Sequence, residues 1–318
     1  MNWDTVARNI PIRIYSTLKA GGNAEYFAIA RTSDELKRVA EGCQEHGLHL
    51  TPIGSGSNIL PSDTIVPGMV VVNQTSTTEF ADEGEVVCDS GVAFQDLFLR
   101  SAQRGLGGLE YAVGIPGSVG GALVSNAGAY RSDISEFLVS LEITFEGKTE
   151  WVDPSWMKFS YRDSILRKLV PAEAVIQRVK MRLPSRDPKL IYDEAREYQR
   201  QRIGKQPPSA SAGSFFKNVI SEELSQSIEG LTDGMRKNKV VPAGFLIEAC
   251  GLKGLRLGGG MIGTRHANFL LNVAGATATE LRSLSHHAKK VVFDKFGVEL
   301  EEEVLYLGDW SGFKPILV

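Results

Sequence analysis

The chain is poor in the residues that hold metals: among 318 residues there are only three cysteines and five histidines. Cys43, Cys88 and Cys250 lie far apart, are odd in number and never fall in C-x-x-C spacing, so neither a disulfide framework nor a zinc site is signalled. We expect reduced core thiols. His286 and His287 are adjacent and on a helix would point to different faces, so no metal is expected. An excess of positive charge is also lacking, since 35 Lys and Arg against 38 Asp and Glu leave a formal net charge of −3. That argues against a nucleic-acid partner. No uncharged apolar run is long enough to cross a bilayer, and the opening MNWDTVARNIPIRIYST lacks the apolar centre of a signal peptide. The expectation is a cytoplasmic protein without membrane insertion.

Two common nucleotide fingerprints are missing as well. The only Gly-Lys-Thr, Gly147-Lys148-Thr149, has Glu142 where a phosphate loop requires glycine, and reads better as a hairpin turn. Gly54-Ser55-Gly56 is followed by Ser57-Asn58-Ile59 with no third glycine in register for a dinucleotide fold of the Rossmann type. What the sequence does have is 33 glycines, concentrated in GSGSNIL from Gly54 to Leu60 and in GLGGLEYAVGIPGSVGGALVSNAGAY from Gly105 to Tyr130. Runs of glycine let backbone N–H groups approach an anion, and Pro116 with Ser118 is placed to open a helix onto one. Two such segments suggest a large diphosphate ligand, whereas either one alone reads as a set of tight turns.

At 318 residues, two or three modules are expected. Tyr26 to Gly54 reads as strand, helix, strand: YFAIA, a helix capped by Thr32 or Ser33 with Leu36, Val39, Ala40 and Cys43 on one face, then LTPIG. The GSGSNIL loop therefore sits at the carboxyl end of a strand. Strands are expected at Met69 to Asn73, Glu85 to Cys88, Val139 to Phe145 and Glu173 to Leu183, with helices from Ala93 to Arg104 and from Pro188, capped by Asp187, to about Ile203. Turn residues from Gly204 to Gly213 mark a boundary. Helices follow near Ser221 to Leu231 and Pro242 to Cys250, then one with a Thr277 to Glu280 capping box and an apolar stripe of Leu281, Leu284, Ala288 and Val291, ended by Gly297. A last strand is expected from Val298 to Leu307. Its face Glu299, Glu301, Glu303, Leu305, Leu307 turns from charged to apolar, which puts Glu303 at an edge where partial desolvation makes a carboxylate useful; a solvated strand end is the bland alternative.

Taken in order, the motifs STLKAGGNAEYF, GSGSNIL, EYAVGIPGSVGGALVSNAGAY, FSYRDS, SAGSFFKN, PAGFLIEACGLKGLR, RHANFLLN and VELEEEV resemble the UDP-N-acetylenolpyruvoylglucosamine reductases, also called UDP-N-acetylmuramate dehydrogenases. The match runs from about Ile12 to Gly308, and the length is similar to the shorter structural type of that family. The resemblance implies an α+β fold: a two-lobed FAD-binding domain of the p-cresol methylhydroxylase type plus a smaller α/β substrate-binding domain. Its divisions would be residues 1–75 and 76–204 for the lobes, 205–297 for the substrate domain, and 298–318 for a C-terminal strand and tail carrying a catalytic glutamate. It implies an FAD- and NADPH-dependent reduction of an enolpyruvyl UDP-sugar in peptidoglycan synthesis, carried out by a monomer.

The same resemblance assigns residues. FAD would lie against Gly54, Ser55, Gly56, Ser57, Asn58 and Ile59, and against Gly114, Pro116, Gly117, Ser118, Gly120 and Gly121, with Asn126 and Ala127 near the flavin. No histidine flanks the first loop, so the FAD would be noncovalent. Arg162 would neutralise the charge that develops on the substrate, Ser214 would donate a proton to carbon, and Glu303 would help polarise the intermediate. Tyr161 would contact the substrate, Lys217 and Asn218 the UDP-sugar or the nicotinamide, and Lys253 and His266 the diphosphate. Two positions depart from the family pattern: Leu305 stands where arginine is common, and Glu302 where proline is common, which leaves Glu301, Glu302 and Glu303 in competition, with spacing from Val304 favouring Glu303. The alternatives are another FAD-dependent sugar or alcohol oxidoreductase on the same fold, and a flavin-binding module without chemistry, for which Leu305 is the hint.

Overall fold

The helix Ser33–Glu45 shows how directly the local signals act: Thr32 accepts from the Glu35 amide, and Leu36, Val39, Ala40 and Cys43 fall on the buried face. The computed structural model describes residues 6–168 and 174–318, so Glu173, the expected start of a strand, lies outside the described residues. Two units divide the protein. One takes Asn23–Ser57 and Ile65–Gly204 together with the segment ending at Pro11, and the other takes Ile12–Gly22, Asn58–Thr64 and Lys205–Val318.

Within the first unit, a sheet of order Ala7–Pro11, Asn23–Ala30, Val66–Asn73, Leu50–Ile53 is parallel except at its first pair. Parallel strands are covered on both faces, and Val66–Asn73 accordingly has Met69, Val70 and Val71 at zero exposure. A second sheet is antiparallel throughout, in the order Lys148–Val152, Leu138–Phe145, Ala174–Arg182, Glu85–Asp89, Thr78–Phe80. The helix Phe94–Ala102 is shorter than the expected Ala93 to Arg104 and buries Phe94, Leu97 and Phe98 in the core beneath that sheet. Burial along Leu138–Phe145, the strand expected from Val139, does not alternate strictly. Val139 is exposed, while Thr144 is buried because its hydroxyl meets Thr149 Oγ1 at 2.9 Å and accepts from Gln177 Nε2 at 2.9 Å. The hairpin turn expected at Gly147-Lys148-Thr149 falls one residue earlier, on Glu146 and Gly147, both at positive φ, while Lys148 and Thr149 already belong to the strand.

The second unit has an antiparallel sheet of order Ala210–Ser214, Phe269–Asn272, Gly260–Ile262, Arg256–Leu257, on which the helix Ala278–Phe296 packs Leu281 and Leu284. The capping box at Thr277 and Glu280 and the stop at Gly297 are as expected, with Val292 rather than Val291 completing the buried stripe. Three expectations change. The turn-rich boundary segment contains the strand Ala210–Ser214, because its small residues pair with Phe269–Asn272. The helix near Ser221 is limited to Glu222–Ser227, and a separate helix Asp233–Lys237, capped by Thr232, follows. The last strand is confined to Leu305–Leu307, which pairs in parallel with Ile59–Pro61. Residues before it are held by single hydrogen bonds rather than a ladder, and the side chains they bury are Leu300 and Val304.

Candidate active site

In the first unit the two glycine segments lie side by side. The strand Leu50–Ile53 ends at Gly54, where an added Cβ would run into Ser118 Oγ and displace that hydroxyl. Ser57 Oγ donates to the Pro116 carbonyl at 2.9 Å. Ser118 caps the helix Val119–Val124 by accepting from the Gly121 amide at 3.3 Å, while the Ser90 and Val92 carbonyls take the Gly120 and Val119 amides at 2.7 and 2.8 Å. Gly114 donates to Gln95 Oε1 at 3.0 Å. The two glycine segments thus meet in a cradle of backbone and small side groups, in which the amides of Gly114, Val119, Gly120 and Gly121 are already bonded within the protein and brace it from behind.

The glycine run ends on a second group of candidates. Asn126 is buried at positive φ, donates to the Ser160 carbonyl at 3.1 Å, and leaves its Oδ1 buried without a hydrogen-bond partner among the described residues. An orphaned acceptor at this place is what a cofactor carrying N–H groups would satisfy. Arg162, itself at positive φ, donates to the carbonyls of Asn126 and Gly128, and its guanidinium lies 5.4 Å from the Tyr161 ring centroid. Residues more than thirty positions apart in the sequence are thus brought into contact.

Arg202 was not among the residues the sequence singled out. It donates to the Tyr111 carbonyl at 3.1 Å, its Nε is buried with no hydrogen-bond partner among the described residues, and burial, with the nearby Arg162 charge acting in the same direction, pulls its pKa below the ordinary arginine value. The signal that would have found it is periodic: Ile191, Ala195, Tyr198 and Arg202 recur at helical spacing along Pro188–Lys205, and the first two are buried. Tyr198 stacks on Tyr130 at 3.7 Å, beside the Arg202 guanidinium.

In the second unit Ser214 closes the strand Ala210–Ser214, opposite Phe269. The next residues turn inward, with Phe215 and Phe216 fully buried and their rings 5.5 Å apart, which anchors the segment by about 1.5–3 kcal/mol for each ring. The Phe215 carbonyl accepts the Glu303 amide at 2.8 Å, so Ser214 and Glu303 are joined through one intervening residue. Of the three competing glutamates, Glu301 pairs with Lys217 at 2.5 Å and Glu302 with Lys289 at 2.8 Å, the latter also 3.4 Å from the Tyr306 hydroxyl. Glu303 is half-buried, and its carbonyl accepts from Asn58 Nδ2 at 3.0 Å.

The other expected contacts are placed as follows. Lys217 is buried against Glu301, and Asn218 Oδ1 accepts the Ala243 amide at 3.2 Å. Lys253 pairs with Glu248 at 2.6 Å. His266 Nδ1 accepts the Asn268 amide at 3.2 Å, with its ring 5.1 Å from that of Phe269. Asn58 and Ile59, expected at the cofactor with the rest of GSGSNIL, belong to the second unit, where Ile59 pairs with Leu305.

The fold is that of a flavin-binding oxidoreductase: residues 24–153 match the family model described as an FAD binding domain. Residues 205–307 match the model described as UDP-N-acetylenolpyruvoylglucosamine reductase, C-terminal domain. The reductase of that name from Bacillus subtilis is 35% identical over 309 residues, covering 95% of this protein and 94% of that one. That from a Synechococcus species is 33% identical, with 96% and 92% covered. A crystal structure of the Thermus caldophilus reductase is similar with a TM-score of 0.74 at 31% identity, covering 95% of this protein and 98% of that one. The chain belongs to the UDP-N-acetylenolpyruvoylglucosamine reductase family.

Proposed function

We propose that Arg162, Ser214 and Glu303 carry the chemistry of this flavoenzyme, the NADPH-dependent reduction of the enolpyruvyl group of UDP-N-acetylglucosamine enolpyruvate to UDP-N-acetylmuramate. The observation that carries this reading is the hydrogen bond from the Glu303 amide to the Phe215 carbonyl, which ties a hydroxyl and a carboxyl from distant motifs to one short stretch of backbone. Bound FAD supplies the hydride relay between nicotinamide and substrate. Gly54 to Ser57 and Gly117 to Gly121 would hold its pyrophosphate, and Asn126 with Ala127 would face the ring. The absence of a histidine from the first loop fits noncovalent attachment.

Hydride addition to the terminal enolpyruvyl carbon leaves negative charge on the neighbouring carbon and the carboxylate. A guanidinium is always charged and planar, so Arg162 suits that delocalised anion. With Leu305 in place of the usual arginine, the C-terminal segment has no cation at that position. Ser214 supplies the proton: its hydroxyl is a weak acid, but the acceptor is a strong carbon base, so no activating histidine is required. Glu303, the glutamate that spacing from Val304 favours, polarises the intermediate. Tyr161, Lys217, Asn218, Lys253 and His266 would serve the UDP-sugar or nicotinamide. Lobes at 1–75 and 76–204, a substrate domain at 205–297 and a tail at 298–318 remain our division of labour along the sequence.

We take the enzyme to be a cytoplasmic monomer; among the described residues no helix is long and apolar enough to cross a membrane. Purified protein is expected to be yellow, to bleach anaerobically with NADPH, and to regain its colour when the enolpyruvyl UDP-sugar is added. Failure of the last step overturns the reading, and bleaching by a simple alcohol or sugar instead would mark a different oxidoreductase.

A further inference from the structure

The ladder between Ala210–Ser214 and Phe269–Asn272 slips register between Ser211 and Ser214, with Gly213 at positive φ, and ends at the Ser214–Phe269 pair. Beyond it Phe216 bridges to Glu302 on one side, while on the other the amides of Phe215 and Phe216 and the Phe216 carbonyl need partners that the strand Phe269–Asn272 no longer provides. Asn268 provides them. Its carbonyl accepts the Phe215 amide at 2.7 Å, its Oδ1 accepts the Phe216 amide at 2.9 Å, and its Nδ2 donates to the Phe216 carbonyl at 2.9 Å. Asn268 is only 3% exposed, and a backbone N–H facing Oδ1 with a backbone C=O facing Nδ2 fixes which end of the amide is which.

We propose that Asn268 is a positioning residue for the proton transfer, its carboxamide standing in for a missing strand residue and setting the Ser214–Phe216 turn against Glu303. This rests on the reading of Ser214 and Glu303 given above. A carboxamide has the donor and acceptor of a peptide group in one plane; aspartate keeps only the acceptor, serine is too short to span both groups, and glutamine is a methylene too long. What Asn268 holds has two outputs. On one side of Phe215 is the Ser214 hydroxyl, and on the other the Phe215 carbonyl receives the Glu303 amide. A tilt of the Phe215–Phe216 peptide therefore moves both groups. The buried rings of Phe215 and Phe216 resist large displacement, which leaves Asn268 to decide the fine orientation.

The test uses FAD-loaded Asn268→Asp and Asn268→Ser in rapid-mixing measurements of the two half-reactions. The aspartate conserves shape, and the serine leaves room for a water. We expect NADPH bleaching within about threefold of wild type and reoxidation by the enolpyruvyl UDP-sugar slowed about 100-fold, the cost of misplacing a reacting group by roughly an ångström. Combined with Ser214→Ala, the same substitutions should slow reoxidation by less than about threefold more, because groups that act as a unit are non-additive. Wild-type reoxidation in both variants overturns the proposal, as does a full additional loss in the Ser214→Ala background. So does failure of both to retain FAD, which would assign Asn268 to the fold alone. A Ser214→Ala enzyme that reoxidises normally would instead overturn the reading of Ser214.

Discussion

At the scale of single residues, this protein uses side groups in two ways that sequence context alone does not separate. Arg162 in isolation reads as a surface arginine before a turn, yet its guanidinium is bound to the Asn126 and Gly128 carbonyls at the end of the glycine run. Glu301, Glu302 and Glu303 are chemically identical and adjacent, and only the structure shows that Glu301 pairs with Lys217 and Glu302 with Lys289. Ser214 carries the sharpest expectation. Ser214→Ala should leave flavin reduction by NADPH intact and slow reoxidation by substrate by several powers of ten, roughly 4 kcal/mol or more of barrier, as single-turnover traces would read directly. An alanine enzyme that turned over within a factor of about ten would mean that another acid delivers the proton.

At the scale of elements, the legible parts were those with local causes. The helix from Ser33 and the helix ending at Gly297 were marked by caps and apolar stripes, because a helix satisfies its hydrogen bonds within itself. The strand expected from Val298 was overextended because alternation says which residues face together but not whether a neighbouring strand exists. The loop after Leu50–Ile53 illustrates both limits: its glycines were conspicuous, but the contact between Gly54 and Ser118 spans sixty-odd residues. Gly54→Ala is accordingly expected to yield a folded protein with little or no flavin, since the added Cβ must push the Ser118 cap away from the cradle. Flavin absorbance per mole of protein, with far-ultraviolet dichroism to check folding, measures this; a stoichiometric yellow variant would contradict it.

At the scale of the whole molecule, stability should report on the thiols the sequence placed in the core. Cys43 and Cys88 are buried and have no disulfide partner, whereas Cys250, expected to be a core thiol too, is only partly buried because it ends the helix Ala243–Ala249. Burial pushes the Cys43 and Cys88 thiols up to about 12, with Asp89 adding to the shift at Cys88. Above the ordinary value of 9.0 the unfolded state loses protons that the folded one keeps, so this contribution is complete below pH 9 and declines as pH rises toward about 12. The slope is about 1.4 kcal/mol per pH unit for each thiol. Urea midpoints measured from pH 8 upward should therefore fall less steeply for Cys88→Ala than for wild type, and parallel slopes would refute the account. The amino-acid sequence by itself determined the family, the capped helices and the glycine segments, and it nominated Arg162, Ser214 and Glu303, because each is written in residues close together or in motifs that keep their order. Tertiary structure alone decided that Asn58 donates to the Glu303 carbonyl, that Arg202 donates to the Tyr111 carbonyl, and that Asn268 completes the turn after Ser214. Those relations are hydrogen bonds between residues tens to hundreds of positions apart, and their partners exist only once burial has removed the alternative of water.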